Sequence, residues 1–283
     1  MTEAPRPSIR ASGLRLSALV AVVVPALLLA AGVRSSDEPE TQPVPVRWAE
    51  GVTHGFLTLK GANGALLAQG DLLQTPKDGR IESRMVFRFR DGSRFDERVV
   101  FSQREVFTVH SYRLEQHGPS FAENAEASFD RASGRYRIRT FTPGDDDEPD
   151  LEEGTIEIPA DVYNGMAIVL AKNLIPRRSA TVRHVAFTPT PRIIKFAFEP
   201  VATEQSSFGH ETKSTTRFAL RPKLGFFLRI GARLMGKKPD TGHAWIVTED
   251  VPAFVKYVGP LSLSGQGAAW TIELASPRWE RRR

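Results

Sequence analysis

Cysteine is absent from the 283 residues. The chain therefore has no disulfide, no thiolate metal site and no thiol nucleophile. It also lacks the modified cysteine with which a bacterial lipoprotein begins after its apolar leader. A chain of this length buries enough apolar surface to build a core without disulfides.

Several motifs with a known chemistry are absent as well. There is no G-x-S-x-G or S-x-x-K nucleophile motif and no phosphate-binding P-loop. None of the six histidines forms an H-x-H or H-x-x-x-H pair, and His210-Glu211 is followed by Ser214 where a zinc protease has its second histidine. These absences leave the catalytic residues unknown and favour a non-catalytic protein. They do not exclude a glycosidase, which needs only two carboxylates placed by the fold.

Charge gives little support for a cofactor, a metal or a nucleic acid. The 38 basic and 33 acidic residues leave a net charge of +5, and no segment forms the concentrated basic face that nucleic acids require. The acidic run 145–153 does not have the ligand spacing of a calcium loop, so it predicts a solvated acidic loop. No cofactor, metal site or nucleic-acid partner is predicted.

The N-terminus has the layout of a secretory signal. Arg6, Arg10 and Arg15 precede an apolar run from Leu16 to Gly32 that ends in small residues. This pattern predicts a signal peptide over residues 1–32 and an exported, periplasmic protein. The run is close to membrane-spanning length, so an uncleaved anchor is the alternative. The remaining chain divides into a linker (33–47), a single β-rich domain (48–279) and a basic tail (280–283).

The segment 85–114 alternates apolar and charged residues, which indicates half-buried strands. Asp91-Gly92 interrupts the alternation and predicts a hairpin turn. A three-residue loop, Asp91–Ser93, keeps the faces matched, with Phe89 opposite Phe95 and Arg88 opposite Asp96.

Glu97 interrupts the apolar face of this hairpin. A following loop at 102–105 places Glu97 opposite His110, and Phe95 opposite Tyr112. A carboxylate and an imidazole on an apolar face indicate either an acid/base couple or a polar anchor for a ligand. A partly solvated ion pair at the sheet rim is the alternative.

The whole pattern predicts a mainly β fold, a curved antiparallel meander forming a half-barrel or open barrel, with two amphipathic helices packed on it. The strands are expected at 55–60, 66–74, 81–90, 94–102, 105–116, 125–131, 135–142, 153–158, 181–188, 192–199, 213–221, 243–249, 253–258 and 269–275. The helices are expected at Asp161–Leu174 and Lys223–Lys238. The second helix is basic, so it either covers the core as a lid or lies on a membrane surface.

Five segments carry a resemblance to a known group: DGSRFDERVVFSQ, SYRLEQHGPSF, IPADVYNGMAIVLAKNL, LMGKKPDTGHAWIV and AFVKYVGPLSLSGQGAAWTIELASPRW. In their order, across residues 53–279, the chain resembles bacterial exported proteins of unknown function. It is more distantly similar in architecture to the half-barrel of periplasmic lipoprotein carriers. That second resemblance implies an apolar concavity that binds acyl chains.

Three hypotheses follow for the function. The first is a non-catalytic binding or carrier protein of the bacterial envelope, for an apolar or acyl-chain ligand. Its predicted ligand-binding residues are Phe87, Phe89, Phe95, Glu97, His110, Tyr112, Phe227 and Leu228. The second is a scaffold that binds another envelope protein through a sheet edge. The third is a glycan or lipid hydrolase that uses Glu97 and His110 as its acid/base pair.

Overall fold

The computed structural model describes residues 41–141, 148–187, 191–208, 211–223, 241–248, 251–261 and 269–275. The strands are β1 (Thr53–Lys60), β2 (Leu66–Lys77), β3 (Arg80–Phe89), β4 (Arg94–Gln103), β5 (Phe107–His117), β6 (Asn124–Asp130), β7 (Arg135–Phe141), β8 (Asp150–Thr155), β9 (Ala180–Ala186), β10 (Arg192–Phe208), β11 (Glu211–Lys223), β12 (Gly242–Val247), β13 (Ala253–Gly259) and β14 (Trp270–Leu274). One helix, α1 (Ala167–Asn173), lies between β8 and β9. The expected mainly β class is confirmed. In the part of the chain that the structure describes, no helix has the length and apolar character to cross a membrane.

All the strands belong to one antiparallel open sheet. Its order is β8-β7-β6-β5-β4-β3-β2-β1-β14-β13-β12-β11-β10-β9. Strands that follow each other in the chain are neighbours, as a meander requires, except β8 and β9, and the pair β1–β14 joins the two halves in the middle. The edges of the sheet are therefore β8 and β9, and α1 lies between them in the chain.

The β3–β4 hairpin shows how turn chemistry sets the register. The Phe89 amide donates to the Ser93 carbonyl at 2.9 Å, which encloses a three-residue loop ending at Gly92. Gly92 has a φ of +87°, the conformation that the last position of such a loop needs. The loop thus begins one residue earlier than predicted, and Phe87 rather than Phe89 lies opposite Phe95. This even shift leaves every side chain on its expected face.

The sheet bends around one of its faces, which we call the inner face. Phe89 on β3 and Trp270 on β14 have ring centroids only 5.5 Å apart, although β2 and β1 lie between their strands. In a flat sheet, three strand spacings separate two such residues by about 14 Å. Tyr112 on β5 also reaches Phe187, just beyond β9, at 5.8 Å. The buried core therefore lies on this concave side.

The first predicted helix is wrong over its first half. Residues 161–164 are not helical and run beside the edge strand β9. The Tyr163 amide donates to the Arg183 carbonyl at 2.8 Å, and the Arg183 amide donates to the Asp161 carbonyl at 2.9 Å. Gly165, with a φ of +68°, turns the chain before α1 begins. The segment satisfies backbone groups that an exposed edge would leave open.

The expected pair of amphipathic helices is therefore not found. The described ranges contain one helix, α1, of seven residues. It presents Val169, Leu170 and Asn173 to the interior. The second predicted helix lies almost wholly in residues 224–240, outside the described part.

Residues 44–48, which include the end of the predicted linker, are hydrogen-bonded to the β-rich domain. The Tyr163 hydroxyl accepts a hydrogen bond from the Val44 amide and donates one to the Phe107 carbonyl, both at 3.0 Å. The Asn173 side-chain oxygen accepts from the amides of Arg47 and Trp48 at 2.9 and 2.7 Å. Residues 44–48 thus tie α1 and the start of β5 together.

Candidate functional site

A row of facing residues crosses the inner face from β2 to β4. The pairing places Leu72 opposite Met85, and Met85 opposite Glu97. These three side chains keep part of their surface accessible. We call them the inner strip. The apolar pair Leu72 and Met85 leads to a single carboxyl group at one end.

Buried residues flank the inner strip on both sides. The neighbouring row on one side contains Gly70, Phe87, Phe95 and Gln116. The row on the other side contains Gln74, Ser83, Val99 and Tyr112. All eight of these residues are buried. Accessible surface between two buried rows on a concave face indicates room next to the inner strip.

Among the described residues, Glu97 has one hydrogen-bond partner and no counter-ion. Its Oε1 accepts a hydrogen bond from the Tyr112 hydroxyl at 2.9 Å. No ion pair joins Glu97 to a lysine, arginine or histidine of the described residues. Burial raises the pKa of Glu97 to about 7, against the opposing effect of the Tyr112 hydrogen bond. The carboxyl is therefore only partly ionised at neutral pH.

Tyr112 is held rigidly for this contact. Its ring stacks on Phe129 at 5.7 Å and on Phe187 at 5.8 Å between centroids. A Cβ at Gly165 would lie 3.1 Å from the Tyr112 ring, so glycine allows the chain to approach closely there. Burial, together with the nearby Glu97 carboxyl, raises the pKa of Tyr112 well above its usual range. The hydroxyl stays protonated and donates to Glu97.

Tyr257 belongs to the same interior although it lies on β13, five strands away from Glu97 in the sheet order. Burial, and then the charge of Glu97, raise the pKa of Tyr257. Its hydroxyl donates to the Pro260 carbonyl at 3.1 Å. Cβ atoms at Gly242 and Gly259 would lie 2.9 and 2.5 Å from that hydroxyl oxygen, so these glycines make room for the ring. The bend of the sheet brings the two halves together here.

His184 is another polar group at the concave side, on the edge strand β9. Its ring lies 4.8 Å from that of Phe196, and its buried Nε2 has no hydrogen-bond partner. Burial lowers the pKa of His184 to about 4, so the imidazole is neutral at physiological pH.

The predicted pairing of Glu97 with His110 is wrong. Glu97 lies opposite Leu114, and His110 is the extra residue of a β-bulge opposite Val100 and Phe101. Its Nε2 is 3.0 Å from the Ser102 hydroxyl. Two differences in register cause this: the turn lies later than assumed, with Gln103 opposite Phe107, and the bulge adds one further residue. For the same reason, Phe95 lies opposite Gln116 and not Tyr112.

The predicted phenylalanines form the walls around the inner strip. Phe87 and Phe95 are 0% and 2% exposed, with ring centroids 6.4 Å apart. Phe89 joins a three-ring cluster with Phe121 and Trp270. Two further predicted residues, Phe227 and Leu228, lie outside the described residues.

Three residues of the site were missed at the level of sequence, namely Leu72, Met85 and Tyr257. The signal for the bulge was nevertheless present. Apolar residues follow odd positions up to Val109 and even positions from Tyr112, and such a change of parity marks an inserted residue. Recognising it places Tyr112 on the same face as Glu97. Nothing local marks Tyr257, since its position depends on the bend of the sheet.

No family model, curated protein or solved structure matches this chain. Within the described ranges, no three histidine, aspartate or glutamate side chains are grouped to hold a metal ion. The function is therefore argued from the geometry of the inner face.

Proposed function

We propose that this chain is an exported, non-catalytic binding or carrier protein for an apolar ligand, such as an acyl chain, held on the inner strip. Export is inferred from the basic and apolar layout of residues 1–32. The observation that carries the proposal is the accessible row Leu72–Met85–Glu97 between two fully buried rows. Concave apolar surface with a few polar groups is typical of small-molecule sites.

The chemistry of the strip fits an elongated apolar molecule. Leu72 and Met85 offer aliphatic and thioether surface, and methionine adapts to ligands of varied shape. Covering apolar surface is worth about 25 cal/mol per Å². Glu97 and Tyr112 supply the polar groups that fix the orientation of a ligand. Two strand spacings, from Leu72 to Glu97, give the strip a length of about 10 Å.

A scaffold role is the second candidate, and the two sheet edges favour it unequally. The β9 edge is covered by residues 161–164, whereas β8 has a single partner strand, β7, among the described residues. An added strand of a partner protein could pair with β8. The acidic side chains Asp150, Glu152 and Glu153 on β8 favour a basic partner strand.

The hydrolase hypothesis required Glu97 and His110 to act as an acid/base pair. These two residues are not in contact, because His110 contacts Ser102 and Glu97 contacts Tyr112.

The test uses two adjacent leucines on opposite faces. Leu72 faces the inner strip, and Leu73 is 43% exposed on the outer face. We expect native mass spectrometry of the purified chain to show an adduct of lipid mass that organic extraction removes. Leu72→Trp fills the strip, so its adduct should fall at least tenfold. Leu73→Trp is the matched control and should keep the adduct.

Two results contradict the proposal. One is a bare protein mass under gentle conditions, combined with no binding of a single-chain lipid to the extracted protein. The other is an adduct that survives Leu72→Trp unchanged. A bare chain that is crosslinked in cells to a protein partner through β8 supports the scaffold role instead.

A further inference from the structure

On the described strands around Glu97, the inner face carries a negative charge and no positive charge. On β1 to β7 and β12 to β14, the pairing places every Lys and Arg of the described strands on the outer face or at strand ends. Glu97 is the one charged residue among the inward-facing positions of these strands. The groups that face it are the Tyr112 hydroxyl, the Tyr257 ring across the interior, and the apolar neighbours Met85 and Leu114.

Among the described residues, the second carboxylate oxygen of Glu97 has no partner. Tyr112 donates to Oε1, and no described residue donates to Oε2. Glu97 keeps part of its surface accessible on the inner strip, and Oε2 is not among the fully buried side-chain atoms without a partner. A buried carboxylate without a cation is costly, and a cation that enters the space removes that cost.

We propose that the ligand of the inner strip is an amphiphile with a protonated amino head group, which binds Glu97 Oε2 while its apolar chain lies along Met85 and Leu72. The inference rests on the proposed function and specifies its ligand class. An ammonium group supplies both the missing positive charge and the missing hydrogen-bond donor. A carboxylate or phosphate head group would be repelled by Glu97, and a neutral alcohol would leave its charge uncompensated.

The experiment compares three ligands that differ only in the head group. Dodecylamine, dodecanol and dodecanoic acid are titrated below their aggregation limits into the extracted full chain at pH 8. The amine is protonated there, as a lysine is. We expect the amine to bind at least tenfold more tightly than the alcohol, and the acid to bind more weakly than the alcohol.

Matched glutamine variants locate the preference. Glu97→Gln keeps the shape of the side chain and should bring the amine and the alcohol within about twofold of each other. Glu82→Gln removes a carboxylate from the outer face, where it pairs with Arg98 at 3.3 Å, and should keep the preference of the parent chain. The parent chain alone already decides the head-group order, whatever the variants do.

The outcomes separate this inference from the proposed function. If the amine and the alcohol bind the parent chain equally, the head-group inference is wrong and a carrier of apolar ligands stands. An amine preference that survives Glu97→Gln also overturns it. If none of the three ligands binds, the proposed function fails, and the inference fails with it.

Discussion

Asp96 and Glu97 are adjacent in the chain and lie on opposite faces of β4. Asp96 is on the outer face, with its side chain only 8% exposed, and it contacts Arg84 and Arg94. Burial alone would raise the pKa of Asp96, but hydrogen bonds from the two arginines outweigh it and lower the pKa to about 2. Glu97 has no cationic partner among the described residues, and burial raises its pKa to about 7. The partner, and not burial itself, decides which carboxyl is ionised.

The same comparison explains how the outer face tolerates like charges. Arg84 lies directly opposite Arg98, an arrangement that is destabilising by itself. The Nε of Arg84 donates to Asp96 Oδ1 at 2.8 Å, and the Nε of Arg98 lies 3.3 Å from Glu82 Oε1. Each of these two arginines thus has an acidic partner on the outer face. Among the described residues, the inner face offers Glu97 no such partner, and this is the role that we propose for a ligand.

The largest expected effect comes from removing the inner carboxyl. Glu97 ionises near pH 4.5 in the unfolded chain and near 7 in the fold, so rising pH between these values favours the unfolded chain. The loss amounts to about 3 kcal/mol and is complete above pH 7. In ligand-free protein at pH 8, Glu97→Gln should therefore raise the free energy of unfolding by about that amount. At pH 4 the two proteins should agree within about 1 kcal/mol.

Urea unfolding across this pH range measures the difference. Glu82→Gln, on the outer face, is the control and should show no gain at pH 8. A Glu97→Gln chain that is less stable than its parent at pH 8 would mean that Glu97 has a compensating cation.

Removing the outer carboxyl should act in the opposite direction. Asp96 ionises near pH 2 in the fold and near 3.8 unfolded, so its contribution is complete above pH 4 and disappears as the pH falls through 2. Asp96→Asn should therefore lower the free energy of unfolding at pH 7 by about 2 kcal/mol. Unfolding by urea at pH 7 and at pH 2.5 tests this.

Asp71→Asn is the matched control on the outer face. Asp71 contacts His54 and Arg88 at 2.9 and 3.0 Å, but its side chain is 34% exposed. Its loss should cost less than about 1 kcal/mol, as is usual for exposed ion pairs. Equal losses for the two variants would show that the burial of Asp96 does not strengthen its ion pairs.

Much of the fold could be predicted because it is local. Alternating burial and turn residues determine the strands, and the meander follows from short connections. Phe87 and Phe95 were assigned to the correct face even though their hairpin register was two residues off. The helix at 161–174 was overestimated because its apolar spacing is also compatible with a chain that covers the β9 edge. Periodicity alone cannot distinguish these two structures.

The contacts of the candidate site were harder to predict, because they join residues that are far apart in the chain. Glu97 was recognised as an exception on an apolar face, but its partner was assigned to His110, because the turn before β5 was placed too early and the bulge adds one more residue to the shift. Tyr257 could not be predicted, since four strands and a bend of the sheet lie between it and Glu97. The pairing of β1 with β14 likewise joins residues from opposite ends of the domain. Such contacts are fixed by the sheet as a whole.

The smallest expected effect concerns the hydrogen bond at the site. Tyr112 donates to Glu97 and so favours its ionised form. Tyr112→Phe should raise the pKa of Glu97 further above 7 and cost about 1 kcal/mol of stability at pH 8. Carboxyl chemical shifts measured by NMR against pH report the pKa. Tyr136→Phe is the control, because the Tyr136 hydroxyl lies 3.4 Å from Glu152 at the β8 edge and should leave the pKa of Glu97 unchanged. A fall in the pKa of Glu97 in Tyr112→Phe would mean that water entering the inner strip solvates the carboxylate better than the tyrosine does.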